Sequence, residues 1–197
     1  DGYADVIVGA RGYDNGQADE GRALVYHGQP SDPGAAYPWT AQRDQASAHF
    51  GASVATVGDV NGDGYADLVV GAYAYDDGQA DEGAAFVYYG GPNGLPSAPN
   101  WSAWGNQVNA YFGWSVGTAG DVNGDGYADL VVGAYARDHG QVDEGQVFVY
   151  HGGPTGLSLP VFYWSAEGDQ LNAYFGYSVG TAGDVNGDGY ADLIVGA

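Results

Sequence analysis

"GDVNGDGYADLVVGA", residues 58–72, sets three aspartates, an asparagine and four glycines around and ahead of an apolar run. The stretch recurs at 120–134, returns with one residue changed as "GDVNGDGYADLIVGA" at 183–197, and the chain opens inside a further copy, "DGYADVIVGA" at 1–10. Aligning on Asp-Gly-Tyr-Ala-Asp puts Asp1, Asp63, Asp125 and Asp188 in register, at spacings of 62, 62 and 63 residues. Trp39, Trp101 and Trp164 each stand 11 residues before Phe50, Phe112 and Phe175. One unit is therefore repeated across the single domain 1–197, with units near 1–62, 63–124 and 125–187 and a partial copy at 188–197.

Each unit reads as four short strands. From Phe50 onward these are "FGASVATVG" (50–58), which alternates between glycines, the compact apolar "ADLVVGA" (66–72), the aromatic and β-branched "AAFVYYG" (84–90), and a weaker segment around "NWSAW" (100–104). Turn-rich joints such as "DDGQADEG" and "GGPNGLPSAP" separate them, and no stretch has a helical period. Four strands per unit at a fixed period predict an all-β fold of β-propeller blades, each an antiparallel four-stranded sheet, with about three blades in this chain. A propeller closes with typically about four to eight blades. The expectation is therefore a segment of a longer propeller, with completion of a ring between chains as the alternative.

Counted from Asp59, side-chain oxygens fall at positions 1 (Asp59), 3 (Asn61), 5 (Asp63) and 9 (Asp67), with the Tyr65 carbonyl at position 7 and Gly64 at the turn. This is the first part of a calcium-loop pattern, and its all-oxygen donor set suits Ca²⁺ rather than zinc. Position 12 is Val70 in place of a bidentate glutamate, and a strand follows instead of a helix. The second copy offers Asp121, Asn123, Asp125, Tyr127 and Asp129; the third offers Asp184, Asn186, Asp188, Tyr190 and Asp192. The amino-terminal copy keeps only Asp1, Tyr3 and Asp5 and is expected to be incomplete. Three carboxylates per loop would repel one another without a cation, which favours an ion over a merely solvated turn.

On these residues the units resemble FG-GAP repeats, the blades of the integrin α-subunit propeller and of many bacterial surface proteins. The pairs Phe50-Gly51, Phe112-Gly113 and Phe175-Gly176 match, as do Gly9-Ala10, Gly71-Ala72, Gly133-Ala134 and Gly196-Ala197. Arg11, Tyr73 and Tyr135 stand where the family usually has proline. The resemblance implies structural Ca²⁺ between the first two strands of a blade, ligand binding on the other face of the ring, and placement outside the cell, the regime of weak extracellular calcium modules.

Composition narrows the partners. Twenty-five acidic residues against four arginines give a net charge of −21, which repels nucleic acid and anionic membrane surfaces. There is no cysteine, hence neither a disulfide nor a thiolate site. The second acidic motif, "DNGQADEG" (14–21) with its copies at 76–83 and 138–145, reads as a polar hairpin held by side chain to backbone bonds, or as a second cation site built on Asp19 and Glu20, Asp81 and Glu82, Asp143 and Glu144. Trp39, Trp101 and Trp164 read as packing between blades in preference to sugar stacking, with Trp104 and Trp114 better placed for exposure. Of the four histidines only His27 and His151 share a register, at a strand end. Every acidic cluster recurs once per unit, whereas an active site is a single asymmetric constellation, so no catalysis is expected of the chain itself. The expected function is a calcium-binding extracellular module for adhesion or for a protein or carbohydrate ligand. The alternatives are an accessory propeller of a secreted hydrolase or lyase, and a structural module assembling through inter-chain blades.

Overall fold

The structure, a computed structural model, describes residues 3–29, 39–158 and 162–197. Among these lie thirteen strands and no helix. The first sheet holds β1 (Val6–Ala10), β2 (Arg22–Tyr26) and β3 (Trp39–Gln42). The second holds β4 (Ser53–Gly58), β5 (Asp67–Ala72), β6 (Ala84–Tyr88) and β7 (Trp101–Trp104). The third repeats it as β8 (Ser115–Gly120), β9 (Asp129–Ala134), β10 (Gln146–Tyr150) and β11 (Trp164–Glu167), and β12 (Ser178–Gly183) pairs with β13 (Asp192–Gly196). All neighbours are antiparallel and consecutive in sequence, the meander of a propeller blade.

The sheets stack face to face, which explains why the second strand of each full blade is apolar without alternation. Successive side chains of a strand point to opposite faces, so β5 sends Val69 toward the third sheet and Val70 and Ala72 toward the first. One core joins Val69, Val87 and Trp101 to Leu130, Val132 and Phe148, and another joins Ala23 and Ala41 to Val70, Ala72 and Phe86. Both faces are covered, and β5, β6, β9 and β10 are buried throughout. The first strands line up beside one another, β4 against β8 and β8 against β12.

The expected strand 50–58 begins only at Ser53. Phe50, Gly51 and Ala52 instead form a turn in which Ala52 N–H donates to the His49 carbonyl, while Phe50 N–H reaches back to the Glu20 carbonyl just ahead of β2. At its other end the register slips between Thr56 and Gly58, and the same bulge recurs at Thr118/Gly120 and Thr181/Gly183. Gly58, Gly120 and Gly183 all have positive φ, and the bulge bends each first strand into its acidic loop.

Candidate metal centre

Each acidic loop is wound around its first aspartate. Asp59 Oδ1 accepts from the Gly62 and Asp63 N–H groups at 2.6 and 3.1 Å, and its Oδ2 accepts from Gly64 at 2.7 Å. Asn61 Oδ1 accepts from Asp63 N–H, and Asp63 Oδ1 from Tyr65 N–H. Asp121 and Asp184 repeat the arrangement about Gly124 and Gly126 and about Gly187 and Gly189. These N–H bonds, that of Gly189 foremost, hold the Asp184 carboxyl below its usual range. Gly64 has φ of +87°, which a side chain would strain.

The ninth-position aspartate ties the loop to the sheet. Asp67 Oδ2 accepts from Val60 N–H at 2.9 Å, and Oδ1 from Gly90 N–H, at the end of β6, at 2.8 Å. Asp129 makes the same pair of bonds with Val122 and Gly152. Asp67 and Asp129 are fully buried, and burial pushes the Asp67 carboxyl up to about 6, the charges of Asp63 and Asp59 adding to the rise. Asp129 is raised for the same leading reason, with His151 opposing. Asp192 bonds Val185 in the last loop. Asp5 bonds Gly28 N–H and lies 3.2 Å from His27 Nδ1; Tyr3 is exposed, and Asp1 falls outside the described residues.

The loops fit a hard divalent ion by donor chemistry: each brings carboxylates to one turn, and at Asp67 a buried carboxylate is made harder to ionise by two like charges. Their three carboxylates are not gathered within 4.8 Å of one another; among the described residues that mutual distance is met only by His139, Glu144 and Glu167. The exposed carboxylates of each loop accept from the backbone N–H groups of that loop.

The loops also touch each other. Ala128 N–H donates to the Asp59 carbonyl and Ala191 N–H to that of Asp121. The Tyr127 ring lies over Gly62 and the Tyr190 ring over Gly124, each leaving no room for a Cβ.

The second acidic motif is a hairpin held from inside. Buried Glu82 accepts from Asp77 and Gln79 N–H on Oε1 and from Asn106 N–H on Oε2, and Asp76 accepts from Asp81 N–H. Glu20 is equally buried, yet among the described residues neither of its oxygens finds a hydrogen-bond partner. Trp39 meets Tyr88 and Trp101 meets Tyr150 edge-on across blades, both at 4.8 Å, whereas Trp164 is exposed. Trp114 belongs to an unforeseen belt at the end of the sheets opposite the acidic loops. His49 stacks on Tyr73, Tyr73 and Tyr135 flank Trp114, Tyr111 stacks on Tyr135, and Tyr174 and Tyr177 extend the row.

The FG-GAP repeat pattern matches residues 50–88, 112–150 and 175–197. The chain belongs to the FG-GAP repeat family. Among its relatives, integrin alpha-IIb of Mus musculus is 40% identical over 162 residues, covering 78% of this chain and 15% of the relative. Phosphatidylinositol-glycan-specific phospholipase D of Mus musculus is 32% identical over 192 residues, covering 91% of this chain and 23% of the relative. Integrin alpha-5 of Xenopus laevis is 32% identical over 172 residues, or 82% of this chain and 16% of the relative. The chain thus spans less than a quarter of each of these proteins.

The two signature pairs of this FG-GAP chain have one physical cause. The Gly of each Gly-Ala packs on the Gly of the next Phe-Gly: a Cβ on Gly71 would lie 2.0 Å from the Gly113 carbonyl oxygen, and one on Gly133 would lie 2.1 Å from that of Gly176. Neighbouring blades approach backbone to backbone there, while Phe50 and Phe112 fill the core alongside. In sequence this contact looks like turn chemistry, because the two glycines stand 42 or 43 residues apart.

Proposed function

We propose that the chain is a calcium-binding propeller module, working outside the cell, that holds Ca²⁺ as a structural ion and presents the opposite end of its blades to a protein or carbohydrate ligand. It carries no catalysis of its own. The observation that supports the calcium reading is buried Asp67, whose ionisation is opposed by burial and by Asp59 and Asp63. A bound ion supplies the positive charge that offsets this opposition. Asp59, Asn61, Asp63, the Tyr65 carbonyl and Asp67 would hold it, as would the corresponding sets from Asp121 to Asp129 and from Asp184 to Asp192. The ligand reading is supported by the aromatic belt, whose rings are only partly covered and stand on the rigid ends of the sheets.

A second reading is favoured by the relative named a phospholipase D, which matches 91% of this chain. The chain would then serve as an accessory propeller beside a catalytic domain, with the same ion chemistry. Calorimetric titration of the chelator-stripped chain with Ca²⁺ tests the ion common to both. The expected result is saturable binding at the three complete loops together with a higher melting midpoint; no heat and an unchanged midpoint in EGTA would overturn it.

A further inference from the structure

At the end of the sheets remote from the acidic loops, the third unit brings together three side chains that no other unit combines. We propose that His139, Glu144 and Glu167 form a site for a single divalent transition ion of the Zn²⁺ type, separate from the calcium loops. One ligand atom from each lies within 4.8 Å of the others. Glu144 is the fixed member: it is buried, and its Oε1 is held by the His139 and Gln141 N–H groups of the hairpin. Glu167 ends β11 and sets its Oε2 at 2.5 Å from His139 Nδ1.

That close contact lacks the geometry of a hydrogen bond. Oε2 of Glu167 is shut off from solvent and accepts no hydrogen bond among the described residues; it faces the His139 nitrogen, and a cation shared by the two would offset the cost of burying its charge. The His139 side chain is 63% exposed, which leaves a route for the ion and room for water to complete its shell. An imidazole nitrogen with two carboxylates suits Zn²⁺ better than Ca²⁺, whose ligands are oxygens.

The site depends on two departures from the repeat. Glu144 has counterparts in Glu20 and Glu82, but Asn15 and Asp77 stand where His139 is, and Gln42 and Trp104 stand where Glu167 is. The two departures are 28 residues apart in sequence and meet in space. They also supply the controls, since His139→Asn and Glu167→Gln install residues with which the first unit already folds.

The test is Zn²⁺ titration of the whole chain by calorimetry in saturating Ca²⁺, repeated with both variants, with Co²⁺ visible absorption as a report of the ligand field. The expected result is one Zn²⁺ per chain, weakened in each variant by at least the roughly 10–100-fold lost when an outer-shell partner is removed, with melting midpoints in Ca²⁺ alone unchanged. Zn²⁺ binding of equal strength in both variants would assign the ion to other groups and overturn the proposal. So would an absence of binding in the unaltered chain. Because the calcium loops are saturated throughout, neither outcome bears on the calcium reading.

Discussion

Asp67 lies buried between two N–H donors and beside two other carboxylates, so its proton affinity reports directly on the loop. Its folded-state pKa of about 6 lies above the ordinary 3.8, so the folded chain holds the proton more tightly than the unfolded one. Without calcium, the resulting stability is fully present below the ordinary value and is lost as pH rises through about 6. In EGTA the melting midpoint is therefore expected to rise between pH 7 and pH 5, and to rise less in Asp67→Asn, which has no charge to lose. Parallel pH profiles for the two proteins would contradict this. Gly71 poses a purely steric question. Its Cβ would stand 2.0 Å from a backbone oxygen of the next blade, where no rotamer change relieves the clash. Gly71→Ala should cost about 3 kcal/mol or more, read from denaturant midpoints; a change within a few tenths would mean that the blades can part there freely.

Between blades, one repeat position meets two environments. Trp101 is buried against Tyr150, while its counterpart Trp164 is exposed. Trp101→Ala is expected to lose about 3–5 kcal/mol, and Trp164→Ala to stay within roughly 0.5 kcal/mol, as measured by urea unfolding. Equal losses would show that the contact across blades is not what the tryptophan contributes. The same comparison shows how far the sequence could be read. Strand count and order were legible, because glycine-bounded apolar runs recur with each unit and β5, β6 and β7 fall inside the segments expected for them. The place of the Asp59–Asp67 loop between the first two strands of its blade was legible too, since its spacing is local. What escaped were contacts between neighbouring blades: the stacking of Gly71 on Gly113, the seat of Tyr127 over Gly62, and the belt around Tyr135. Their partners belong to different strands and turns, so no local spacing pattern displays them. The loop-to-loop seat has a consequence for the ions: Tyr127→Ala should weaken Ca²⁺ binding at the Asp59 loop as well as its own. A titration in which only the Asp121 loop responds would show the loops to be independent.

A chain carrying a net charge of −21 in 197 residues opposes its own compaction, and the charge is shared between the acidic loops at one end of the blades and the second acidic motif at the other. Two kinds of relief are available. Monovalent salt shortens the Debye length from about 10 Å at 0.1 M to about 3 Å at 1 M, acting on the whole surface without regard to geometry. An ion held in a loop acts at a point and by mass action: at a concentration of about ten times its dissociation constant each site adds roughly 1.4 kcal/mol. Three complete loops then contribute about 4 kcal/mol, which for a chain of this length corresponds to a rise in melting midpoint on the order of 10 °C. Screening would make Ca²⁺ and Mg²⁺ equivalent at equal concentration, whereas site binding would not, because Mg²⁺ demands a tighter, octahedral shell and gives up its water reluctantly. Melts of the EGTA-stripped chain in matched ionic strengths of NaCl, MgCl₂ and CaCl₂ separate the two. The expected order is a small rise in NaCl, a modest one in MgCl₂ and the largest in CaCl₂ at low millimolar concentration. Superimposed CaCl₂ and MgCl₂ curves would mean that the acidic loops act as diffuse charge, and the stability of the blades would then rest on their glycine-to-glycine contacts and aromatic cores alone.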